Sequence, residues 1–153
     1  MPSDQLTTLF FCKTKDPYGE FSNMFPSTLL GGGKLWPAVE NLYQAQKFQD
    51  PALREKIRLL TNPMAAAFEG RNRTHRLRWD WEQVKDAKML ACLRLKYAQH
   101  PQIKALLLAT GEQHIAELSY KDAYWGTLPD LSGLNRLGQL HMQLRQEFRT
   151  TSP

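Results

Sequence analysis

The chain has 153 residues, 42% apolar and 23% charged, with 20 Lys+Arg against 15 Asp+Glu. That length predicts one globular domain spanning 1–153, and the mixture excludes a disordered or fibrous protein. No stretch approaches the ~18 apolar residues of a membrane span, residues 1–5 lack the basic flank and apolar run of a signal peptide, and Cys12 and Cys92 have no metal-ligand spacing. The expectation is a cytoplasmic protein with two free thiols, no metal, no cofactor and no membrane partner.

The formal charge of +5 is local, since taking away Arg71, Arg73, Arg76 and Arg78 leaves +1. Guanidinium groups present fixed donors that match phosphate oxygens, so a cluster of them suits a phosphate-bearing ligand better than a long polyanion.

In chain order, Leu9-Phe10-Phe11-Cys12 reads as a short buried strand. Asp16-Pro17-Tyr18-Gly19 is a loop leading into Glu20-Phe21-Ser22-Asn23. Two apolar runs around Gly31-Gly32-Gly33 predict a hairpin. Pro37 fits a first helical residue, and 38–49 contains no breaker. Asp50-Pro51 and Asn62-Pro63 each start a helix with an N-cap and an N1 proline, the second closing at Gly70. The Arg-rich residues 71–78 read as a loop. Asp80, with Gln83 three positions on, resembles a capping box opening a long helix over 81–99, with Val84, Ala87, Leu90, Ala91 and Leu95 as its apolar face. His100-Pro101 begins another helix, marked at its end by Gly111. Residues 115–119 form a short strand, 120–135 a loop, and Leu137, Leu140, Leu144 and Phe148 the stripe of a last helix. The fold class is α+β, predominantly helical, with a few short strands.

Three constellations carry chemistry. Glu40, Tyr43, Gln44 and Lys47 stand at i, i+3, i+4 and i+7, so they share one helix face. A solvated stripe with a Glu-to-Lys tie is one reading, and a carboxylate and an amine sharing a cleft is the other. Residues 70–81 mix Arg71, Arg73, Arg76 and Arg78 with indoles, suiting a phosphate and a stacked base, although Trp81 also fits a first core residue. Trp79 is assigned to packing, and His75 has no partner at metal spacing. The third is Glu117, Ser119, Asp122, Tyr124-Trp125-Gly126 and Gly133 to Gly138, where a strand delivers polar groups to a loop. Asn135 there fits either a site or a cap on the last helix.

These segments together resemble the YbiA-like, or NADAR, family across nearly the whole chain. The resemblance rests on 19–23, on Trp36-Pro37-Ala38-Val39-Glu40-Asn41-Leu42-Tyr43-Gln44-Ala45-Gln46-Lys47-Phe48, on Gly70-Arg71, on Asp80-Trp81 with Val84-Lys85-Asp86, and on the Glu117 to Gly126 and Gly133 to Gly138 blocks. Asn41 departs from it, standing where the family usually has His. The resemblance implies a mostly helical α+β domain and an N-glycosidase acting on ribosylamine-type compounds. Its substrates would be early intermediates of riboflavin biosynthesis or, in some members, ADP-ribose on guanine, so nucleic acid enters only as a modified substrate. A non-catalytic ADP-ribose-binding domain is the rival reading.

On these residues the expected catalytic groups are Glu40, Lys47 and Asp122. The substrate-binding set is Glu20, Phe21, Ser22, Asn23, Tyr43, Gln44, Arg71, Arg73, Trp81, Trp125 and Asn135. Trp81 and Trp125 would stack on the base, Arg71 and Arg73 hold phosphate, and Glu20 and Asn23 meet the heterocycle's polar edges. Lys47 can act as a Schiff-base nucleophile on a ring-opened ribosylamine, with Glu40 or Asp122 as acid or base. A carboxylate-assisted attack of water without a covalent step is the alternative.

Overall fold

The computed structural model describes residues 7–151, so the reading of 1–5 lies outside the described residues. The elements in order are β1 (Leu9–Phe11), a 3₁₀ turn (Gly19–Phe21), β2 (Leu29–Gly31), β3 (Lys34–Trp36), α1 (Val39–Ala45), α2 (Pro51–Leu59), α3 (Pro63–Arg71), α4 (Trp81–Gln99), α5 (Pro101–Ala109), β4 (Ile115–Glu117) and α6 (Arg136–Thr151). The helical α+β class expected from the sequence is the one found. The chain divides into two units, Asn23–His100 and the residues up to Ser22 together with those from Pro101 onward.

In the first unit α1 lies against α2, α3 and α4, and every one of its residues is buried. The helix is shorter than 38–49. Ala38 is extended and precedes it, so Pro37 is not a first helical residue. The N-terminus is capped by backbone, the amide of Glu40 donating to the carbonyl of Asn23 at 3.0 Å. At the other end the Gln46 amide is shared between the carbonyls of Leu42 and Tyr43, which tightens the last turn and leaves Lys47 just beyond the helix. The starts of α2 and α3 follow the sequence closely, with the side chains of Asp50 and Asn62 accepting from the amides of Ala52 and Met64.

Gly70 does not end α3. The helix continues to Arg71, and Gly70 with Ala66 and Ala67 forms a buried small-residue face. A Cβ on Gly70 would collide with Gln44 of α1, lying 2.6 Å from its Cδ and 3.0 Å from its Cβ. The glycine is a crossing point between helices, not a cap.

Helix α4 also differs in two respects. Asp80 makes no side-chain cap, because Arg78 occupies both its carboxylate oxygens at 2.6 and 3.0 Å. The buried face is Trp81, Met89, Cys92, Leu93, Lys96 and Tyr97, whereas Ala87 and Ala91 are exposed. Lys96 is completely buried, its ammonium 5.9 Å from the Phe25 ring, and a charge there disguised the apolar stripe. The hairpin β2–β3 turns through Gly32 and Gly33, both at positive φ, the conformation a two-residue type I′ turn demands.

In the second unit β1 pairs in parallel with β4, Leu9 opposite Ile115 and Phe11 opposite Glu117. Strand β4 is shorter than 115–119, and Leu118 continues into a single bridge to Thr127. Helix α6 packs on β4 and α5 through Leu137, Leu140 and Leu144. Gly138 is held close to the carbonyl of Ile115 and leaves no room for a Cβ.

Candidate active site

The four residues assigned to one face of α1 are all buried: Gln44 is 3% exposed, Tyr43 4%, Glu40 6% and Lys47 7%. The solvated-stripe reading therefore fails. Helices α2, α3 and α4 close round α1, and two charged and two polar side chains are carried inward with it. Burial of charge is costly unless each group is met by a partner. The Nε2 of Gln44 donates to Glu40 Oε1 at 2.7 Å. The ammonium of Lys47 donates to the carbonyl of Gly70 at 3.5 Å and sits 5.7 Å from the Tyr43 ring. The charge of Glu40 also reaches Cys92, whose thiol is pushed up to about 12, chiefly by burial and next by this carboxylate.

The carbonyl of Gly70 is the point to which the cations converge, since Arg73 Nη2 donates to it as well, at 3.1 Å. This peptide group was not among the expected site residues. The signal available was the spacing of Ala66, Ala67 and Gly70, which marks a helix face approached by another helix. The turn after α1 is anchored through backbone, the Arg78 amide donating to the Lys47 carbonyl at 2.8 Å.

Asn23 belongs to the same unit. Its carbonyl holds the start of α1, its Nδ2 lies 3.4 Å from Met89 Sδ, and its Oδ1 is buried without a hydrogen-bond partner. Gln44 Oε1 is in the same condition. A buried acceptor left unmatched costs roughly 1–3 kcal/mol. Asn41, in the position of the usual family His, instead ties α1 to the end of α2. Its Nδ2 donates to the carbonyls of Ile57 at 3.0 Å and Leu60 at 2.8 Å.

The aromatic and cationic assignments change in part. Trp81 is buried, its ring centroid 5.4 Å from that of Tyr43, so the two form one aromatic wall. Trp79, expected to pack, is 87% exposed because the turn before α4 points it outward. Of the Arg cluster, Arg78 is committed to Asp80, while Arg71, at the end of α3, and Arg76 are exposed with no ion-pair partner among the described residues. His75 faces Glu69, their atoms 2.5 Å apart, and holds that carboxyl below the usual range.

The remaining expected residues belong to the second unit. Phe21 is fully buried, stacked on Tyr18 and in edge contact with Phe11. Ser22 is buried beside it, and Glu20 is half-buried on the same 3₁₀ turn. Asp122 Oδ1 accepts from the amides of Tyr124 and Trp125 at 3.0 and 2.9 Å, which shapes the loop carrying half-buried Trp125. Asn135 is buried. At positive φ, it accepts from the Glu117 amide at 3.0 Å and donates to the Ile115 carbonyl at 2.9 Å, fixing β4 to the start of α6.

A family model, the NADAR domain, matches residues 9–149. The chain belongs to the NADAR family. It is 46% identical to the N-glycosidase YbiA of Escherichia coli over 144 residues, 94% of this chain and 90% of that protein. It is 35% identical over 146 residues to a riboflavin biosynthesis protein of Vibrio vulnificus, covering 95% of this chain and 40% of that longer one. The NMR structure of E. coli YbiA superposes with a TM-score of 0.88 at 44% identity, over 97% of this chain and 88% of the other.

Proposed function

We propose that the chain acts as a single NADAR domain in the cytoplasm, an N-glycosidase that cleaves the bond between ribose 5-phosphate and an aminopyrimidine intermediate of riboflavin biosynthesis. Its relatives' names support both the reaction class and the pathway. The observation that carries the reading in this molecule is the joint burial of Glu40, Gln44 and Lys47 on and just after one helix. A module that only bound a nucleotide would have no use for an amine and a carboxylate both drawn out of water.

In this reading Lys47 attacks C1 of the ring-opened ribosylamine. A C1–N bond to Nζ forms, the aminopyrimidine leaves with a proton, and water then hydrolyses the enzyme-bound imine to release ribose 5-phosphate. Glu40, held in place by Gln44, supplies the proton to the leaving amine and takes one from the incoming water. Asn23 Oδ1 accepts from an amino group of the heterocycle, and exposed Arg71 receives the phosphate.

Incubating the purified protein with the phosphoribosylaminopyrimidine, with and without borohydride, tests this. Expected are released ribose 5-phosphate and a reduced adduct on Lys47, both absent in Lys47→Arg. Full activity of Lys47→Arg would remove the covalent step and leave carboxylate-assisted hydrolysis. Turnover confined to ADP-ribosylated guanine would replace the substrate, and no turnover of either would reduce the site to nucleotide binding.

A further inference from the structure

A cavity of about 490 Å³ opens in the Asn23–His100 unit, and none of Glu40, Tyr43, Gln44 and Lys47 lines it. It lies between the β2–β3 hairpin, α1, the start of α2 and the middle of α4. Its volume is within the ~300–1,000 Å³ of small-molecule sites. One part of the wall is apolar, made by Trp36, Leu42 and Leu95. Trp36 is pinned by its indole N–H, which donates to the Gly31 carbonyl at 2.9 Å. Gly31 lets the hairpin approach closely, because a Cβ there would stand 3.3 Å from Leu42 and 3.5 Å from Leu95.

The charge around the opening is unbalanced. Lys34, Arg54 and Lys88 line it against one carboxylate, Glu55. That carboxylate is already taken by Lys34 and Arg58, and these neighbours draw its pKa down to about 2. Lys88 also feels Asp80, but both oxygens of Asp80 are held by Arg78. Arg54 and Lys88, on α2 and α4, thus face one cavity without an ion-pair partner among the described residues. Gln46 adds an amide that no described residue engages.

We infer that this cavity is a second ligand site, separate from the buried Glu40–Lys47 group, for a small molecule joining a flat ring to one phosphate. The ring lies against Trp36, Leu42 and Leu95 with its polar edge toward Gln46, and the phosphate bridges Arg54 and Lys88. The opposite face of α1 carries Glu40 and Gln44, so an occupant touches the helix that positions the reactive groups. The site does not depend on which N-glycoside is hydrolysed.

Adenosine 5′-monophosphate is a suitable probe, titrated into the ¹⁵N-labelled full chain, with adenosine and inorganic phosphate as the two partial ligands. Expected shifts are in the indole N–H of Trp36 and the side-chain amide of Gln46, with binding by the nucleotide tighter than by either part. Arg54→Gln and Lys88→Gln, at partly exposed positions, should each raise the Kd about tenfold while leaving the rest of the spectrum in place. Absence of shifts at millimolar nucleotide would overturn the assignment. So would shifts confined to Tyr43, Lys47 and Trp81, or a Kd unchanged in the Arg54→Gln/Lys88→Gln double variant.

Discussion

At the scale of single residues, Gly70 and Cys92 report on how tightly the reactive group is enclosed. Gly70→Ala places a methyl group against Gln44, whose Cβ, unlike the end of its side chain, cannot move aside. Overpacking of this kind costs about 1–3 kcal/mol. Since Gln44 holds Glu40, turnover should fall further than stability does. Denaturant unfolding beside steady-state rates checks this, and an active, equally stable variant would show that the helices separate freely there. Cys92 yields a second expectation. With its thiol raised to about 12 by burial and by Glu40, it should resist alkylation at pH 8 in the native protein, while exposed Cys12 reacts. Mass spectrometry should find one label, on Cys12, and a second only after unfolding. Rapid labelling of Cys92 in folded protein would mean that the cavity lets reagent through to α4.

At the scale of elements, the segment joining α3 to α4 is organised by carboxylates. Glu69 is held below its ordinary range first by its bond to His75, and Asp80 by its bond to Arg78. Both folded values lie beneath the unfolded carboxylate range near 4. Their stabilisation is therefore complete above about pH 4 and is lost as pH falls through the lowered values. Thermal midpoints should drop on acidification below pH 4, and Asp80→Asn should flatten part of that drop while lowering the midpoint at neutral pH. A wild type indifferent to acid would contradict it. The same segment shows where sequence reading stopped. The N-caps of α2 and α3 were legible because Asp50-Pro51 and Asn62-Pro63 act locally. Asp80 offered the same local signal, but the neighbouring Arg78 competed for it, and no spacing rule ranks a cap against an adjacent guanidinium. The i, i+3, i+4, i+7 pattern identified Glu40, Tyr43, Gln44 and Lys47 as a set. It could not tell an inward face from a solvated one, because that depends on three other helices surrounding α1.

At the scale of the whole molecule, the pairings that matter most join distant parts of the sequence. Strand β1 was legible as a buried strand from Leu9-Phe10-Phe11, yet its partner β4 begins at Ile115, and periodicity carries no information about which strand meets which. Phe21 illustrates the consequence. Read locally it sits in a motif of binding residues, whereas the fold places its ring with Phe11 at 6.0 Å and with His141 at 5.5 Å, and the His141 ring nitrogen lies 3.1 Å from its carbonyl. Phe11 is the member that ties this cluster to the parallel β1–β4 pair. It is 1% exposed and in edge contact with both Phe21 and His141. Phe11→Ala should cost about 3–5 kcal/mol, the sum of lost burial and the cavity left behind. Because the loss falls in the unit that carries Asp122 and Trp125, amide exchange should accelerate first along β1 and β4, while α1 and α3 in the other unit keep their protection. Hydrogen exchange followed by mass spectrometry resolves the two. Uniform acceleration through α1 and α3 would show instead that the chain opens as one cooperative body, with the two units having no separate stability.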